Sequence, residues 1–214
     1  MTLTQDGALI KIYGDIASGN CYKVKLLVTL LDLPHTWHHV DILAGDTRGQ
    51  AFARMNPNLK IPVLEISPNL YLSESNAILN YLADGTPLLP SAPLARARIL
   101  QWQFFEQYSH EPYIAVARFI AKYLGMPDER IAEFHAKQEG GHRALGVMAA
   151  HLEYADFFSG DQFGIADITL YAYTHVAADG GFALDAYPTI LRWLARVAAI
   201  PGHRTMAQFM AEQS

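Results

Sequence analysis

The order of hydrophobic and polar positions predicts a βαβ unit at the start of the chain. Residues 8–13 form a short apolar, β-favouring run, and residues 36–42 form a second one. Between these runs, apolar side chains recur at the spacing of one helix face: Val24, Leu27, Val28 and Leu31. Asn20 precedes the helical pattern and is a favourable N-cap residue. A strand, a helix and another strand in this order predict a parallel strand pair joined by a crossover helix.

The following stretch predicts a β-hairpin and a further helix. Residues 62–66 and 70–72 have strand character, and the turn-forming residues 67–69 separate them. A helical pattern covers residues 75–83. The polar residues 45–55 predict a short, mobile helix. The first part of the chain therefore combines a βαβ unit with a ββα unit.

The rest of the chain has helical periodicity. Residues 86–93 contain three prolines and predict a linker. Two long helical patterns follow, at residues 94–124 and 128–158. A bend is expected at Pro112, which removes a helical hydrogen bond, and Gly140-Gly141 is expected to be a weak point of the second pattern. Three shorter helical patterns complete the chain: 165–178, 189–199 and 201–210. We predict that this half is an all-helical bundle.

Composition and charge exclude several classes of partner. Of the 214 residues, 17% are charged, and the formal net charge of −5 gives no electrostatic basis for binding nucleic acid or an anionic membrane. No apolar stretch is long enough to span a bilayer. Residues 1–6 lack the pattern of a secretory signal, and Cys21 is the only cysteine, which excludes an intrachain disulfide. We therefore expect a reducing, cytoplasmic compartment.

The turn before the predicted hairpin carries the first sign of a ligand site. Pro62 cannot donate to a sheet ladder and therefore belongs at a strand start or at a sheet edge. A cis bond between Ile61 and Pro62 would leave the carbonyl and N–H of Ile61 facing outward, where they can pair with an extended peptide. Ser75 lies at a helix start, where N–H groups and the helix dipole favour a carboxylate. Together these features predict a site for a small, acidic, peptide-like ligand.

Several motifs in a fixed order resemble those of a known family. They are the loop Tyr13-Gly14-Asp15-Ile16-Ala17-Ser18-Gly19-Asn20-Cys21, then Asn56-Pro57, Ile61-Pro62-Val63-Leu64 and Glu74-Ser75. Over nearly the whole chain, this order resembles the cytosolic glutathione transferases, and Ser18 looks like the serine of their theta-type and bacterial members. The resemblance implies a thioredoxin-like α/β domain at residues 1–85, followed by an all-α helical domain at residues 92–214.

The resemblance also implies a function. A protein of this family would be a homodimer that uses glutathione as co-substrate and transfers it to an electrophilic small molecule, as in detoxification. Two alternatives remain open: a glutathione-dependent disulfide-bond reductase, and a non-catalytic protein of the same fold that binds or regulates a partner. The joint presence of Ser18, Pro62, Glu74 and Ser75 argues against the non-catalytic alternative, because a module freed from glutathione has no physical need for all four.

Ser18 is the residue that the resemblance assigns to catalysis. Glutathione reacts as a thiolate, and a free thiol has a pKa of about 8.5, so it is mostly protonated at pH 7. The hydroxyl of Ser18 would donate to the bound sulfur and favour its thiolate. The alternative is that Ser18 only caps the helix. Tyr13 competes for the same role, because some branches of the family use a tyrosine near the end of the first strand, but we interpret Tyr13 as mainly packing.

Asn20 and Cys21 extend the predicted site along the helix. In a bacterial branch that resembles glutathione-dependent disulfide reductases, a hydroxyl residue and an asparagine two positions later face the sulfur, and Ser18-Gly19-Asn20 has this spacing. We therefore assign Asn20 to glutathione binding, beside its role as a cap. Cys21 has no CxxC partner, so dithiol chemistry is disfavoured, and a mixed disulfide on Cys21 is a minor alternative to inert packing.

The resemblance assigns further residues to the charged ends of glutathione. Glu74 would pair with the γ-glutamyl amine, and the hydroxyl and N–H of Ser75 would take the γ-glutamyl carboxylate. Lys60 is placed to meet the glycyl carboxylate, beside the backbone of Ile61. The family often has glycine where Leu59 stands, and this departure bears on the shape of the loop. Without the resemblance, Ser-Glu-Ser before an apolar run is only a helix start.

The first long helical pattern is rich in aromatic residues. Aromatic side chains at helical spacing usually belong to a core or to a dimer contact. We assign Tyr108, His110 and Tyr113 to an electrophile pocket. Asp167 is expected to accept hydrogen bonds from N–H groups at a helix start, which is a folding role. The nine histidines show no HExxH motif and no paired Cys/His spacing, so we predict no metal site.

Overall fold

The structure, a computed structural model, describes residues 9–212. Its contacts form two compact units. The first unit ends at Asp84 and also contains the segment that begins at Pro201, whereas the second unit is Gly85–Ile200. The predicted strand start at residue 8 and the predicted lack of a signal in residues 1–6 lie outside the described residues.

The elements of the first unit follow one another along the chain as β1 (Ile10–Gly14), α1 (Gly19–Leu30), β2 (His35–His39), α2 (Gln50–Met55), β3 (Val63–Ser67), β4 (Leu70–Ser73) and α3 (Ser75–Ala83). The strand order in the sheet is β2-β1-β3-β4. Strand β1 pairs with β2 in parallel, while β3 is antiparallel to both β1 and β4. The predicted βαβ and ββα units are therefore confirmed.

The core of this unit lies along α1 and around β3. Helix α1 buries a set of apolar side chains: Cys21, Val24, Leu26, Leu27 and Val28. Phe52 on α2 packs with Val40 and Val63 in a separate buried cluster. Helices α1 and α3 contact each other. This packing fixes the start of α1 and the start of α3 relative to the sheet.

The last described segment packs on the first unit, which differs from the predicted helical domain of residues 92–214. The hydroxyl of Tyr22 on α1 donates to the carbonyl of Arg204 at 2.7 Å, and its ring meets that of Phe209 edge-to-face with centroids 6.0 Å apart. The predicted helix at residues 201–210 is shorter than expected, because it spans only Met206–Ala211 and begins at the capping box of Thr205.

The second unit is helical, as predicted. Its α-helices are α4 (Pro93–Phe105), α5 (Glu111–Arg118), α6 (Ile131–His151), α7 (Ile165–Thr174) and α8 (Pro188–Ala198), and Met206–Ala211 in the first unit is α9. Within residues 9–212, no helix is both long and apolar enough to cross a membrane.

The first long helical pattern is continuous but irregular. A π-helical turn at Glu106–His110 separates α4 from α5, and a second one at Phe119–Tyr123 follows α5. Pro112 lies in the first turn of α5, directly after the first π-helical turn. Pro112 has no N–H to donate to the preceding turn, and a proline ring disfavours the regular α-helical geometry of that turn. The irregularity expected at Pro112 therefore takes the form of a wider turn.

The second long helical pattern ends earlier than predicted, at His151 rather than at residue 158, and it has no break at Gly140-Gly141. Both glycines are buried against aromatic rings. A Cβ atom at Gly140 would overlap the ring of Tyr113, and one at Gly141 would overlap the ring of Phe182. The prediction of a weak point is therefore wrong, because these glycines allow α6 to approach its neighbours closely.

Asp167 organises the start of α7, as predicted. Its fully buried carboxylate accepts hydrogen bonds from the N–H groups of Phe158 at 2.8 Å and Gly164 at 3.1 Å, and from Nε1 of Trp193 at 2.9 Å. Burial raises the pKa of this carboxyl, and the hydrogen bonds act in the opposite direction. Asp167 therefore ties α7 and α8 to the preceding loop.

Candidate functional site

The sheet topology brings three predicted segments to one edge. Strand β3 runs antiparallel to β1 and β4, with Tyr13 opposite Val63 and Val63 opposite Ser73. The end of β1, the start of β3 and the end of β4 therefore lie side by side. We call this place the loop edge; it consists of residues 15–18 after β1, residues 56–62 before β3, and the start of α3 at Glu74 and Ser75. It contains every residue that the sequence assigned to glutathione, apart from Asn20 in the adjoining first turn of α1.

Ser18 holds the N-cap position of α1, where Asn20 was predicted. Helix α1 begins at Gly19, and Asn20 lies in its first turn. The Ser18 side chain makes no capping hydrogen bond, which removes the simplest structural explanation for this hydroxyl. Instead the hydroxyl hydrogen-bonds to the thiol of Cys21. The loop is held by Asp15, whose carbonyl accepts the N–H of Ser18 at 3.0 Å.

Cys21 is fully buried and packs under the end of β1. Burial raises the pKa of its thiol from 9.0 to about 12, although the hydrogen bond from Ser18 acts in the opposite direction. A Cβ atom on Gly14 would lie 2.7 Å from the Cys21 sulfur, so only glycine fits at that position of β1 without a shift. The structure favours the inert interpretation of Cys21 over a mixed disulfide, because the reactive thiolate is suppressed.

The hydroxyl of Tyr13 is engaged within the sheet. It donates to Glu65 on β3 at 2.8 Å, and its ring stacks on His38 with centroids 4.8 Å apart. Burial opposes ionisation of Glu65, but the hydrogen bonds from Tyr13 and Lys11 outweigh it and hold the pKa of the carboxyl below its ordinary value. These contacts support the structural role that the sequence suggested for Tyr13.

A polar cluster connects α1 with α3. The Ser75 hydroxyl donates to Oδ1 of Asn20 at 3.0 Å, and the same oxygen accepts from Nζ of Lys23 at 2.7 Å. Nζ of Lys23 also lies 3.4 Å from the Ser75 hydroxyl. Sequence reasoning missed Lys23, although a lysine on the apolar face of an otherwise buried helix is an available signal. The Ser75 hydroxyl is hydrogen-bonded to Asn20. The backbone N–H of Ser75 is therefore the group that a ligand carboxylate would meet at the start of α3.

Glu74 combines exposure with an unusual backbone. Its φ of 69° and ψ of 110° place it in a region that residues other than glycine rarely adopt, directly before α3. Its side chain is exposed and makes no capping hydrogen bond. Strained residues of this kind persist where the surrounding structure imposes them and are frequent at ligand sites. The backbone thus marks Glu74 independently of the sequence resemblance.

The segment before β3 is shaped by Asn56. Its side chain donates to the carbonyl of Lys60 at 2.8 Å and accepts the N–H of Asn58 at 3.0 Å. Leu59 has a φ of 56°, the left-handed conformation that glycine adopts without strain. The Ile61–Pro62 bond is cis, as the sequence suggested, and the Lys60 side chain is exposed.

The residues assigned to the electrophile pocket do not form one group. Tyr108 and Tyr113 line a small cavity of about 210 Å³ in the second unit, together with Arg143. His110 does not line it; this side chain is fully buried, with Nε2 3.0 Å from the Thr174 hydroxyl. The assignment of His110 to the pocket is corrected, because a fully buried ring cannot contact a ligand in this conformation.

Histidine, cysteine, aspartate and glutamate side chains are the usual protein ligands of metal ions. Between residues 9 and 212, no group of three or more histidine, cysteine, aspartate or glutamate side chains is arranged to hold a metal ion. The polar side chains at the loop edge are two hydroxyls, two amides, one ammonium and the two carboxylates of Asp15 and Glu74. Such a set suits a charged, peptide-like molecule.

Comparisons with known proteins agree with the fold. The model described as Glutathione S-transferase, N-terminal domain, matches residues 17–84, and Glutathione S-transferase, C-terminal domain, matches residues 106–201. A glutathione S-transferase from Pseudomonas fluorescens Pf-5 is 56% identical, covers 93% of this chain and 99% of its own, and superposes with a TM-score of 0.91. A second Pf-5 structure, a glutathione transferase family member with two glutathione bound, is 28% identical over 93% of this chain and 92% of its own, with a TM-score of 0.80. The disulfide-bond oxidoreductase YfcG of Escherichia coli is 28% identical over 85% of this chain and 87% of its own.

Proposed function

Because the chain belongs to the glutathione S-transferase family and is a glutathione transferase, we propose that it binds glutathione at the loop edge and activates it as a thiolate for attack on an electrophilic small molecule. The observation that carries this assignment is the 3.0 Å hydrogen bond from the Ser75 hydroxyl to Asn20. It joins the helix that follows β1 to the helix that follows β4, and both contain residues assigned to the ligand.

The proposed role of Ser18 is to donate a hydrogen bond to the glutathione sulfur. Its hydroxyl is half-buried, makes no capping bond and already interacts with one sulfur atom, that of Cys21. A rotation about one side-chain bond would direct the hydroxyl toward a bound thiolate instead. The start of α1 adds the favourable end of a helix dipole. Both effects lower the pKa of the bound thiol, so more of it is nucleophilic at neutral pH.

The charged ends of glutathione are assigned to the rest of the loop edge. The exposed carboxylate of Glu74 pairs with the γ-glutamyl amine, and the N–H of Ser75 at the start of α3 takes the γ-glutamyl carboxylate. The backbone of Ile61 pairs with the peptide, and the exposed ammonium of Lys60 meets the glycyl carboxylate. These contacts hold the tripeptide equally in the ground state and in the transition state, so they set affinity rather than chemistry.

Glutathione-dependent disulfide reduction is a second candidate activity. One relative is named a disulfide-bond oxidoreductase, and one solved relative holds two glutathione molecules. In this reaction the thiolate of one glutathione attacks a disulfide, releases one thiol and forms a mixed disulfide. A second glutathione then attacks the mixed disulfide, which releases the other thiol and leaves oxidised glutathione. Asn20, two positions after Ser18, would be the second polar group facing the sulfur.

The protein is proposed to act as a homodimer through the second unit. Leu100, Phe104 and Tyr108 recur every four residues and are exposed by 39%, 69% and 86%. We call these residues the apolar stripe. Val147 on α6 is also exposed, and it lines the same small cavity as Tyr108. Contiguous exposed apolar side chains of this size indicate an interface, and a two-fold axis would pair the stripe with its own copy.

A binding test and two activity assays on the purified protein test the function. We expect retention on immobilised glutathione, elution by free glutathione, and conjugation of a chloro-nitrobenzene. Reduction of hydroxyethyl disulfide at a higher rate than conjugation would favour the reductase candidate. Retention with neither activity would favour the non-catalytic alternative, and a lack of retention together with a lack of both activities would contradict the assignment of the loop edge.

A further inference from the structure

Lys23 is a buried charge in the middle of an apolar helix face. Its side chain is fully buried, between the buried residues Tyr22 and Val24. Lysine is almost never fully buried unless its ammonium is paired, because removing it from water is unfavourable. Here the ammonium contacts Oδ1 of Asn20 at 2.7 Å and the Ser75 hydroxyl at 3.4 Å. A charge held against two residues assigned to the ligand points to a role in binding.

The first consequence concerns the orientation of Asn20. An ammonium can only donate hydrogen bonds, so it must face the oxygen of the Asn20 carboxamide and not its nitrogen. The Ser75 hydroxyl donates to the same oxygen at 3.0 Å. Two donors on one oxygen leave the amide nitrogen directed to the opposite side, as a donor. Lys23 therefore determines which end of Asn20 faces away from the buried cluster.

The second consequence concerns the electrostatic potential at the start of α3. The first N–H groups of a helix and its dipole favour an anion there. The ammonium of Lys23 lies against the side chain of Ser75, the first residue of α3. Its positive charge adds to the potential of the helix start. In a buried environment such a charge acts more strongly than it would in water.

We propose that Lys23 is a positioning residue for glutathione, which fixes Asn20 and Ser75 and supplies the positive charge that favours the γ-glutamyl carboxylate at the start of α3. This inference rests on the proposed function, because it requires glutathione at the loop edge. Lys23 does not itself contact the ligand in this proposal, because it acts through Asn20 and Ser75.

The test combines a protein variant with a ligand variant. The probes are S-methylglutathione, which cannot form a thiolate, and its analogue with a 4-aminobutyryl group, which lacks only the γ-glutamyl carboxylate. Calorimetry gives the affinity of wild type and Lys23→Met for both probes. We expect loss of the ligand carboxylate to weaken binding about tenfold more in wild type than in Lys23→Met, as for one charged hydrogen bond. If Lys23 were only structural, its replacement would weaken the binding of both probes by the same factor.

Matched variants make each outcome decisive. Lys25→Met removes the same charge from the same helix at a side chain that contacts His35 at 2.9 Å, and it should keep the wild-type ratio of affinities. Lys23→Gln, which keeps a donor for Asn20, carries the comparison if Lys23→Met does not fold. Equal ratios in wild type and in the Lys23 variants would overturn the inference alone. Failure of wild type to bind S-methylglutathione would overturn the proposed function as well.

Discussion

The hydroxyl of Tyr13 donates a 2.8 Å hydrogen bond to Oε2 of Glu65 on the neighbouring strand. Lys11 pairs with the same carboxylate oxygen at 3.3 Å. Burial and the hydrogen bond to Glu65 raise the pKa of Tyr13 to about 12. A hydroxyl committed to a carboxylate within the sheet is poorly placed to donate to a ligand. This relationship favours Ser18 over Tyr13 as the donor to the glutathione sulfur.

Replacement of Tyr13 by phenylalanine should therefore affect stability more than activity. We expect Tyr13→Phe to lower the free energy of unfolding by about 1 kcal/mol, the usual contribution of one hydrogen bond. The kcat for conjugation should stay within about twofold of wild type, a change of less than 1 kcal/mol in the barrier. Denaturant unfolding and steady-state kinetics measure the two effects. A large loss of kcat with unchanged stability would reverse the assignment.

Ser18→Ala should leave glutathione bound and impair its ionisation. If the hydroxyl stabilises the thiolate by about 2 kcal/mol, its loss raises the pKa of the bound thiol by about 1.5. The kcat at neutral pH should then fall, and part of the rate should return at high pH, where the thiolate forms unaided. The pH–rate profiles of wild type and Ser18→Ala make this comparison.

Ser18→Thr is the matched control, because it keeps the hydroxyl at the N-cap position of α1. We expect its profile to follow that of wild type in pH dependence. Coincident profiles for wild type and Ser18→Ala would leave Ser18 without a catalytic role.

Asn20→Ala distinguishes the two candidate activities, since a greater loss of disulfide reduction than of conjugation would favour the reductase.

Cys21 should be unreactive in the folded protein. Burial raises the pKa of its thiol to about 12, so almost no thiolate is present at pH 8. We expect iodoacetamide to label Cys21 at pH 8 only after the protein is unfolded, as detected by intact mass. Cys21→Ala should retain conjugation activity, because it removes only a competing partner of the Ser18 hydroxyl. Rapid native labelling, or loss of activity in Cys21→Ala with normal folding, would assign the thiol a role in chemistry.

The same shift predicts an alkaline limit to stability. The folded-state pKa of Cys21 lies above its ordinary value of 9.0, so the unfolded state loses its proton first as the pH rises. The contribution of the neutral thiol is therefore complete below pH 9 and is lost as the pH rises toward 12. We expect the free energy of unfolding to decline over this range, and to decline less steeply in Cys21→Ala. Equal slopes for the two proteins would contradict the buried-thiol explanation.

Local patterns were sufficient for much of the fold and part of the site. The alternation of short apolar runs and turns predicted the β1–α1–β2 unit and the β3–β4 hairpin. The strand start at Pro62 and the helix start at Ser75 were predicted from local signals, and the structure has them directly beside the start of β3 and the end of β4. The start of α1 was misplaced, because Ser18 and Asn20 are both good caps, and only the backbone shows that the helix begins at Gly19.

Features that depend on contacts distant in sequence could not be predicted. The position of Lys23 on an apolar helix face is a local sign of burial, but its contact with Ser75 exists only because α1 and α3 pack together. Gly140-Gly141 has the signature of a helix breaker, yet the aromatic ring of Tyr113 requires a glycine at the first of these positions. The attachment of α9 to the first unit likewise rests on packing around Tyr22, which carries no local signal.

A charge in the apolar stripe should abolish the proposed dimer. Phe104 is exposed by 69%, and Phe104→Asp would place two carboxylates close to the two-fold axis. We expect light scattering at micromolar concentration to show two chains for wild type and one chain for Phe104→Asp. Leu94→Asp is the control, because Leu94 is 65% exposed on the same helix but lies off the four-residue spacing of the stripe. A wild-type mass of one chain would contradict the proposal directly.

Glu74 should show opposite effects of one substitution on stability and on binding. Its φ of 69° is strained for glutamate and for alanine but is accessible to glycine. Relief of the strain outweighs the greater freedom of glycine in the unfolded chain, so we expect Glu74→Gly to be more stable than Glu74→Ala by about 1 kcal/mol. Both variants lose the carboxylate, so both should raise the KM for glutathione about tenfold with little change in kcat. Thermal unfolding and glutathione titrations of the two variants separate these effects. If Glu74→Gly were the less stable of the two, the backbone would be unstrained, and if KM were unchanged in both, the γ-glutamyl amine would bind elsewhere.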